Sequence, residues 1–293
     1  MAVLKQIGIL AHPQRPQTAP AAARIQQSLQ ASGLSVWLET HWEEATVRES
    51  VRESQMIIAI GGDGAMLWAS RACAPFAVPM LGVNMGHLGF LTALNWPDGW
   101  ENGLRTVLEG NYWIEERMMI QAQLIRGDEI LATGDALNDV VISRGVEART
   151  VQLETYIDQG WATTYNADAL IIATATGSTA YALASGGPIL PPELRNILLV
   201  PVAPHLSMDR PLVLSEGVTV EIYIPPDCRT ETVLTMDGVL VATMQPGDRV
   251  RICASQHISR FVRLGERNYF YRSLLDRLEP RISARSAPRR DEF

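Results

Sequence analysis

The residues best placed to do chemistry stand where an apolar run ends. Met56, Ile57, Ile58, Ala59 and Ile60 lead directly into Gly61-Gly62-Asp63-Gly64, and a helical pattern opens at Ala65. Glycines without a Cβ let a phosphate approach the backbone, and the N–H groups at a helix start offer free donors at the positive end of the helix dipole. Gly61, Gly62 and Gly64 are therefore candidate phosphate contacts. Asp63 needs a separate account. A carboxylate beside anionic phosphates is electrostatically costly unless it takes a proton from a nucleophile or helps to hold a cation. Both roles belong to phosphoryl transfer; the plainer alternative is a tight turn in which Asp63 caps the helix. The segment matches neither the Rossmann fingerprint nor the Walker loop.

A second loop, residues 84–92, follows the apolar run 79–83 and carries Gly86 and Gly89. Asn84 is its candidate ligand contact, while Leu88, Phe90 and Leu91 read as plugs of the core. Farther on, Asn138 and Asp139 interrupt an apolar strand pattern. Strand neighbours face opposite sides, so one of the two is buried or the strand is distorted. A carboxylate can accept from paired ribose hydroxyls and an amide can donate and accept; a solvent-facing pair on an edge strand is the alternative. Asp168 precedes the apolar run 169–173, which leads into a segment of small and hydroxyl side chains at 174–189. Such a segment lets a flat ring lie against backbone. Ser178 or Thr179 can cap a short helix, and Tyr181 can pack over a base or ribose, or else fill the core. His205 and Arg210 sit in a proline-stiffened turn, where a histidine satisfied by backbone is the commoner outcome. His12, His41, His87 and His257 show no metal-ligand spacing, and no zinc is assigned.

These residues need a scaffold to hold them. Up to about residue 112, short apolar runs at 6–11, 36–38, 56–60 and 79–83 alternate with helical stretches near 21–32 and from 65. That rhythm predicts an α/β domain with a Rossmann-like parallel sheet, whose carboxyl ends carry the glycine turns after 60 and 83. From Arg117 the helical period fades. Apolar runs at 118–125, 136–143, 151–157, 169–173, 197–202, 218–224, 232–236 and 249–254 predict an all-β sandwich domain. A short helix is expected at 268–278, packing back on the first domain, followed by a loose charged tail at 281–293. The expected divisions are 1–112, 113–267 and 268–293.

Composition bounds the function classes. A chain of 293 residues exceeds the usual single-domain size, so two domains sharing a cleft are expected. Hydrophobic residues make up 47% and charged residues 19%, and no apolar run reaches the roughly 18 residues of a membrane helix. The brief run Ile7 to Leu10 is too short for a secretory signal, so a cytoplasmic location is expected, with no membrane partner. A net charge of -7 argues against a nucleic-acid binder. Phosphates must then be held by local devices: amides, helix N-termini and a metal ion. Cys73, Cys228 and Cys253 are odd in number and far apart, and read as buried thiols.

In their order and spacing, the loops at 61–64 and 84–92, the Asn138-Asp139 pair, the segment 176–189, the turn at 201–210 and Asp237-Gly238 resemble the NAD kinase family over nearly the whole chain. The resemblance implies the NAD kinase and diacylglycerol kinase-like fold, with the site in the cleft and the β-sandwich supplying much of the contact in a homodimer or homotetramer. It implies Mg²⁺-dependent phosphoryl transfer from ATP, another nucleoside triphosphate or polyphosphate to the 2′-hydroxyl of the adenosine ribose of NAD, giving NADP. Asp63 would be the general base. Asn138 and Asp139 would hold a ribose, and Asp168 with Thr179, Ala180, Tyr181, Ala182, Leu183 and Ala184 would line the base pockets. Arg149 and Asn166 match NAD-contacting positions. Mg²⁺ would ride on the donor phosphates rather than on a direct protein ligand. The chain departs from the family pattern at three places. Ala65 stands where threonine is common, Thr174-Ala175-Thr176 where a proline is usual, and Val239 where a glutamine often contacts NAD. A lipid or sugar kinase sharing the glycine-aspartate loop is the nearest enzyme rival, opposed by the Asn-Asp pair and the threonine-tyrosine segment. A catalytically silent NAD-binding sensor or accessory subunit is the rival of another class. Ala65 and Val239 would be its signs of decay, and the intact Asp63 loop speaks against it.

Overall fold

A computed structural model of the chain describes residues 4–86 and 89–278; His87, Leu88 and the expected tail at 281–293 lie outside the described residues. The first lobe runs β1 (Gln6–Ala11), α1 (Thr18–Ala31), β2 (Ser35–Glu39), α2 (Glu44–Arg52), β3 (Met56–Gly61), α3 (Asp63–Cys73), β4 (Met80–Asn84), β5 (Leu94–Asn95) and α4 (Trp100–Leu108). Strands β2, β1, β3 and β4 lie side by side in parallel. Their buried residues alternate between two apolar layers, as the two-residue strand period requires. Ile58 and Ile60 pack with Ala21, Ile25 and Leu29 of α1 and Leu104 of α4 on one face. Ile57 and Ala59 pack with Val51 of α2 and Met66, Ala69 and Cys73 of α3 on the other. Because the strands are parallel, the turns after β1, β3 and β4 emerge at one edge. Two backbone bonds knit them together, His12 N–H to Ile60 O at 3.3 Å and Met85 N–H to Gly61 O at 3.1 Å.

The second lobe holds β6 (Trp113–Arg126), β7 (Glu129–Ala136), β8 (Asp139–Arg144), β9 (Val151–Ile157), β10 (Gly160–Ala167), β11 (Ala169–Thr174), the helical turn α5 (Tyr181–Ala184), β12 (Asn196–Val202), β13 (Leu212–Ser215), β14 (Val220–Tyr223), β15 (Thr232–Met236), β16 (Val239–Met244) and β17 (Asp248–Arg263). Helix α6 (Tyr269–Leu278) follows. One sheet has the order β13-β12-β11-β8-β15-β16 and is antiparallel throughout. It faces β6, β9, β10, β14 and β17 across a core that includes Met118, Ile120, Ile142, Tyr165, Ile172, Leu199, Ile222 and Ile252. The expected combination of an α/β lobe and a β-sandwich is what the chain forms.

The two lobes share a sheet. β17 pairs antiparallel with β6 over its length and with β14 over 249–252, then meets β4 in parallel through Phe261 and Met80. A register shift between Ala254 and Ile258 turns the strand from one lobe into the other. The sandwich strands therefore continue into the parallel sheet. Among the described residues no helix is long and apolar enough to cross a membrane.

Candidate active site

Helix α3 begins at Asp63, with Gly62 as its N-cap in extended conformation and no side-chain cap. Asp63 does not close the helix end, so the capping alternative is set aside. Its carboxylate turns to the neighbouring loop and accepts the N–H groups of Phe90 and Leu91, each at 3.1 Å. A Cβ on Gly89 would lie 1.9 Å from Oδ1 of Asp63, so only glycine lets the loop come this close. The carboxylate is thus fixed at the carboxyl edge of the parallel sheet, beside the N–H groups that open α3, of which that of Ala65 donates back to Gly62 O at 3.0 Å. Gly61, Gly62 and Gly64 flank Asp63 along the chain. Arg15, in the turn after β1, brings Nη1 to within 3.7 Å of the position a Gly62 Cβ would take. Sequence reasoning passed over this cation; its place in the turn after a parallel strand was the available signal.

Asn84 is 2% exposed. Its Nδ2 donates to Gly86 O at 2.6 Å and to Asn95 Oδ1 at 3.4 Å. Its amide braces the loop. Leu91 is buried as expected, while Phe90 is half-buried against the ring of Phe270 in α6.

The Asn138-Asp139 pair opens β8, an interior strand between β11 and β15, which rules out a solvent-facing edge. The turn is organised by Asp237, which sequence reasoning noted only as part of a motif. Its carboxylate accepts the N–H groups of Leu137, Asn138 and Asp139 at 3.0, 2.7 and 3.3 Å. Burial, and then the neighbouring Asp237, push the Asp139 carboxyl up to about 7. The Asp237 carboxyl is itself raised by burial, against the pull of the three amides and of Arg71. Leu137 belongs to the same apolar layer as Met66 and Leu91, and so draws this turn against α3 and the loop that holds Asp63.

The small-residue segment closes over the same place. A Cβ on Gly177 would meet the carbonyl oxygen of Asn138 at 2.1 Å. Thr174 Oγ1 donates to Leu137 O at 2.5 Å and accepts from Gly177 N–H. Thr179, Ala180 and Leu183 are half-buried, Ala184 is exposed, and Tyr181 is 46% exposed and outside the core. Ala182 is fully buried among Val141, Ile171 and Val200, so its methyl group supports the wall from behind.

Arg149, Asn166 and Asp168 stand elsewhere. Asp168 bonds Arg144 Nε at 3.0 Å, at the far end of β8 and β11 from Asn138 and Gly177. Asn166 lies beside His205, whose N–H donates to its carbonyl, and Arg149 is exposed in the turn after β8. The length of β11 separates this group from the first by about 20 Å. Within one chain they do not join the pocket around Asp63. Between α3 and the second lobe lies a cavity of about 630 Å³, bordered by Trp68, Arg71, Gln121, Asp135, Val239 and His257.

A doubly wound sheet thus sets a glycine-aspartate loop near an Asn-Asp turn, at its join with an antiparallel sandwich. Residues 7–112 match the family profile of the ATP-NAD kinase N-terminal domain and residues 137–264 that of the ATP-NAD kinase C-terminal domain. The NAD kinase of Dehalococcoides mccartyi strain CBDB1 is 35% identical over 276 residues, 94% of this chain and 96% of that one. The NAD kinase of Pseudomonas fluorescens strain SBW25 is 37% identical over 275 residues, 91% of this chain and 93% of that one. In fold, the chain resembles yeast NADH kinase complexed with NADH, with a TM-score of 0.86 at 23% identity over 98% of this chain and 91% of that one. It also resembles an NAD kinase from Archaeoglobus fulgidus in complex with ATP, with a TM-score of 0.72 at 22% identity over 92% and 97%. The chain belongs to the ATP-NAD kinase family, and its activity is that of an NAD kinase.

Proposed function

We propose that the chain moves the terminal phosphoryl group of a nucleoside triphosphate onto the 2′-hydroxyl of the adenosine ribose of NAD, with Asp63 as the general base. The observation that carries this reading is the fixed Asp63 carboxylate. Each of its oxygens accepts one backbone N–H at 3.1 Å and keeps further acceptor capacity for a hydroxyl proton. Asn138 and Asp139 hold the ribose beside it, and the wall at 179–184 takes the adenine, Ala182 through its backbone only. The α3 amides and Arg15 receive the donor phosphates. Among the described residues no three His, Cys, Asp or Glu side chains converge on a metal. The donor phosphates supply the hard oxygens that Mg²⁺ prefers, a mode suited to an ion that keeps much of its water. When bound, Mg²⁺ would spread the charge that builds on the transferred group.

The group formed by Arg149, Asn166 and Asp168 completes the dinucleotide site of a second copy in a homo-oligomer. Its separation from Asp63 along β11 supports this arrangement, and the exposed Val146 and Leu206 beside it offer apolar contact. The cytoplasm, where NAD and triphosphates meet, is the compartment this reading calls for.

The test is NADP formation from NAD, ATP and Mg²⁺ by the purified protein and by Asp63→Asn. The variant is expected to bind NAD nearly as the parent does while losing on the order of a hundredfold or more in turnover. Unchanged turnover would remove Asp63 from the role of base.

A further inference from the structure

Behind Asp63 lies a buried ionic cluster. Glu115, Arg117 and Arg263 are 3, 2 and 2% exposed, two cations to one anion. Glu115 Oε2 accepts from Arg263 Nε at 2.8 Å and from Arg117 Nε at 3.0 Å. The Tyr269 hydroxyl, on the first residue of α6, donates to Glu115 at 2.7 Å and accepts from Arg117 Nη2 at 2.6 Å. Both guanidiniums lie over the ring of Phe261, at 5.1 and 5.2 Å, and Arg263 lies over Tyr269 at 4.5 Å. Burial alone would raise the Glu115 carboxyl, yet Arg117, Arg263 and the Tyr269 hydroxyl hold it below the usual carboxylate range. Buried ion groups of this kind are a weak source of net stability, so their placement asks for another reason.

That reason lies in what the free arms of Arg263 reach. Nη2 donates to the carbonyl of Phe90 at 3.1 Å, and Nη1 donates to those of Leu91 and Thr92 at 3.1 and 3.2 Å. The Phe90 carbonyl and the Leu91 N–H belong to one peptide unit. Its oxygen is held by Arg263 while its N–H is held by Asp63 Oδ1. A cation on the carbonyl polarises the amide and strengthens the bond its N–H donates. We propose that Arg263 is a positioning residue for phosphoryl transfer, clamping the 90–92 backbone so that two amides hold the Asp63 carboxylate where a hydroxyl must deliver its proton. Glu115 and Tyr269 fix the guanidinium, and Arg117 links the cluster to the base-pocket wall through Thr176 Oγ1 at 3.5 Å. The aim of Asp63 thereby depends on a helix from the far end of the chain.

This inference rests on Asp63 being the base, and the experiment separates the two claims. Steady-state NADP formation is measured for Asp63→Asn, Arg263→Lys, the double variant and Tyr269→Phe, with thermal melting of each. Arg263→Lys is expected to lose roughly tenfold or more in kcat with the KM for NAD within about threefold, and the double variant to be no slower than Asp63→Asn alone. Tyr269→Phe keeps the ring over the guanidinium and is expected to lose several-fold in kcat; it carries the test if Arg263→Lys does not fold. An inactive Asp63→Asn beside an Arg263→Lys of parental kcat would overturn the role of Arg263 alone. So would losses that add in the double variant, or a Tyr269→Phe of parental kcat should Arg263→Lys fail to fold. A fully active Asp63→Asn would overturn the reading beneath it.

Discussion

Two carboxylates of the candidate site sit in different surroundings. Asp63 is half-buried at a helix start with two amides on it, while Asp139 is 6% exposed beside a second acid. Burial and Asp237 push the Asp139 carboxyl up to about 7, far above its ordinary value of 3.8. A group that holds its proton more tightly in the folded state contributes stability fully below its unfolded pKa, and that contribution is lost as pH rises through the folded one. The chain without ligand should therefore lose stability between pH 5 and pH 8 through this position. Asp139→Asn, which cannot ionise, should gain roughly 2 kcal/mol relative to the parent over the same interval. Melting curves of both proteins at the two pH values check this, and parallel curves would mean that Asp139 is ionised throughout. The titration belongs to the Asp139-Asp237 pair, with Arg71 the cation nearest in effect.

At the scale of elements, the site is made by a helix start and a loop pressed together, and one missing side chain decides how closely. Gly89→Ala would drive a methyl group into the Asp63 carboxylate, whereas a Cβ on Gly86 in the same loop meets nothing within 4 Å. Gly89→Ala should reduce kcat by roughly tenfold or more by turning Asp63 off its amides, and Gly86→Ala should stay within about twofold. Comparing the two by NADP formation separates loop contact from loop flexibility. The turn from β3 into α3 was legible in the sequence because a wholly apolar strand met glycines and then a helical stripe, and β15 was found at 232–236, its full extent. Strands β7, β10 and β16 escaped because most of their residues are exposed or half-buried, so their apolar alternation is weak. Helix α2 escaped because only Val47 and Val51 mark its buried side among the side chains described. The ends of β6 and β17 were missed for a different reason. Glu115, Arg117 and Arg263 are charged types that a reader assigns to the surface, and only the fold reveals that they neutralise one another inside. Asn84, expected from its place after a strand to meet a ligand, also braces its own loop through Nδ2, a role its position did not reveal.

At the scale of the molecule, the residues of the candidate site fall into two groups at opposite ends of β8 and β11, and the proposed homo-oligomer would bring the two together from two copies. Subunits carrying Asp63→Asn and subunits carrying Asp168→Ala should each be poor enzymes. Co-expressed, they should recover a substantial share of parental NADP formation, because some pockets then draw Asp63 from one copy and Asp168 from the other. Activity no greater than the sum of the two separate variants would place the whole site within one chain. The strand that joins the lobes has its own consequence for how the protein is made. Among the described residues, β4 gains its second long neighbour only from β17, which follows every other strand described. While the ribosome is still working, the first lobe waits with one flank of its sheet unsealed, and Phe261 and Arg263 arrive among the last pieces. Synthesis order thus makes assembly of the phosphate end of the pocket a late event, completed by the same stretch of chain that stitches the two halves together.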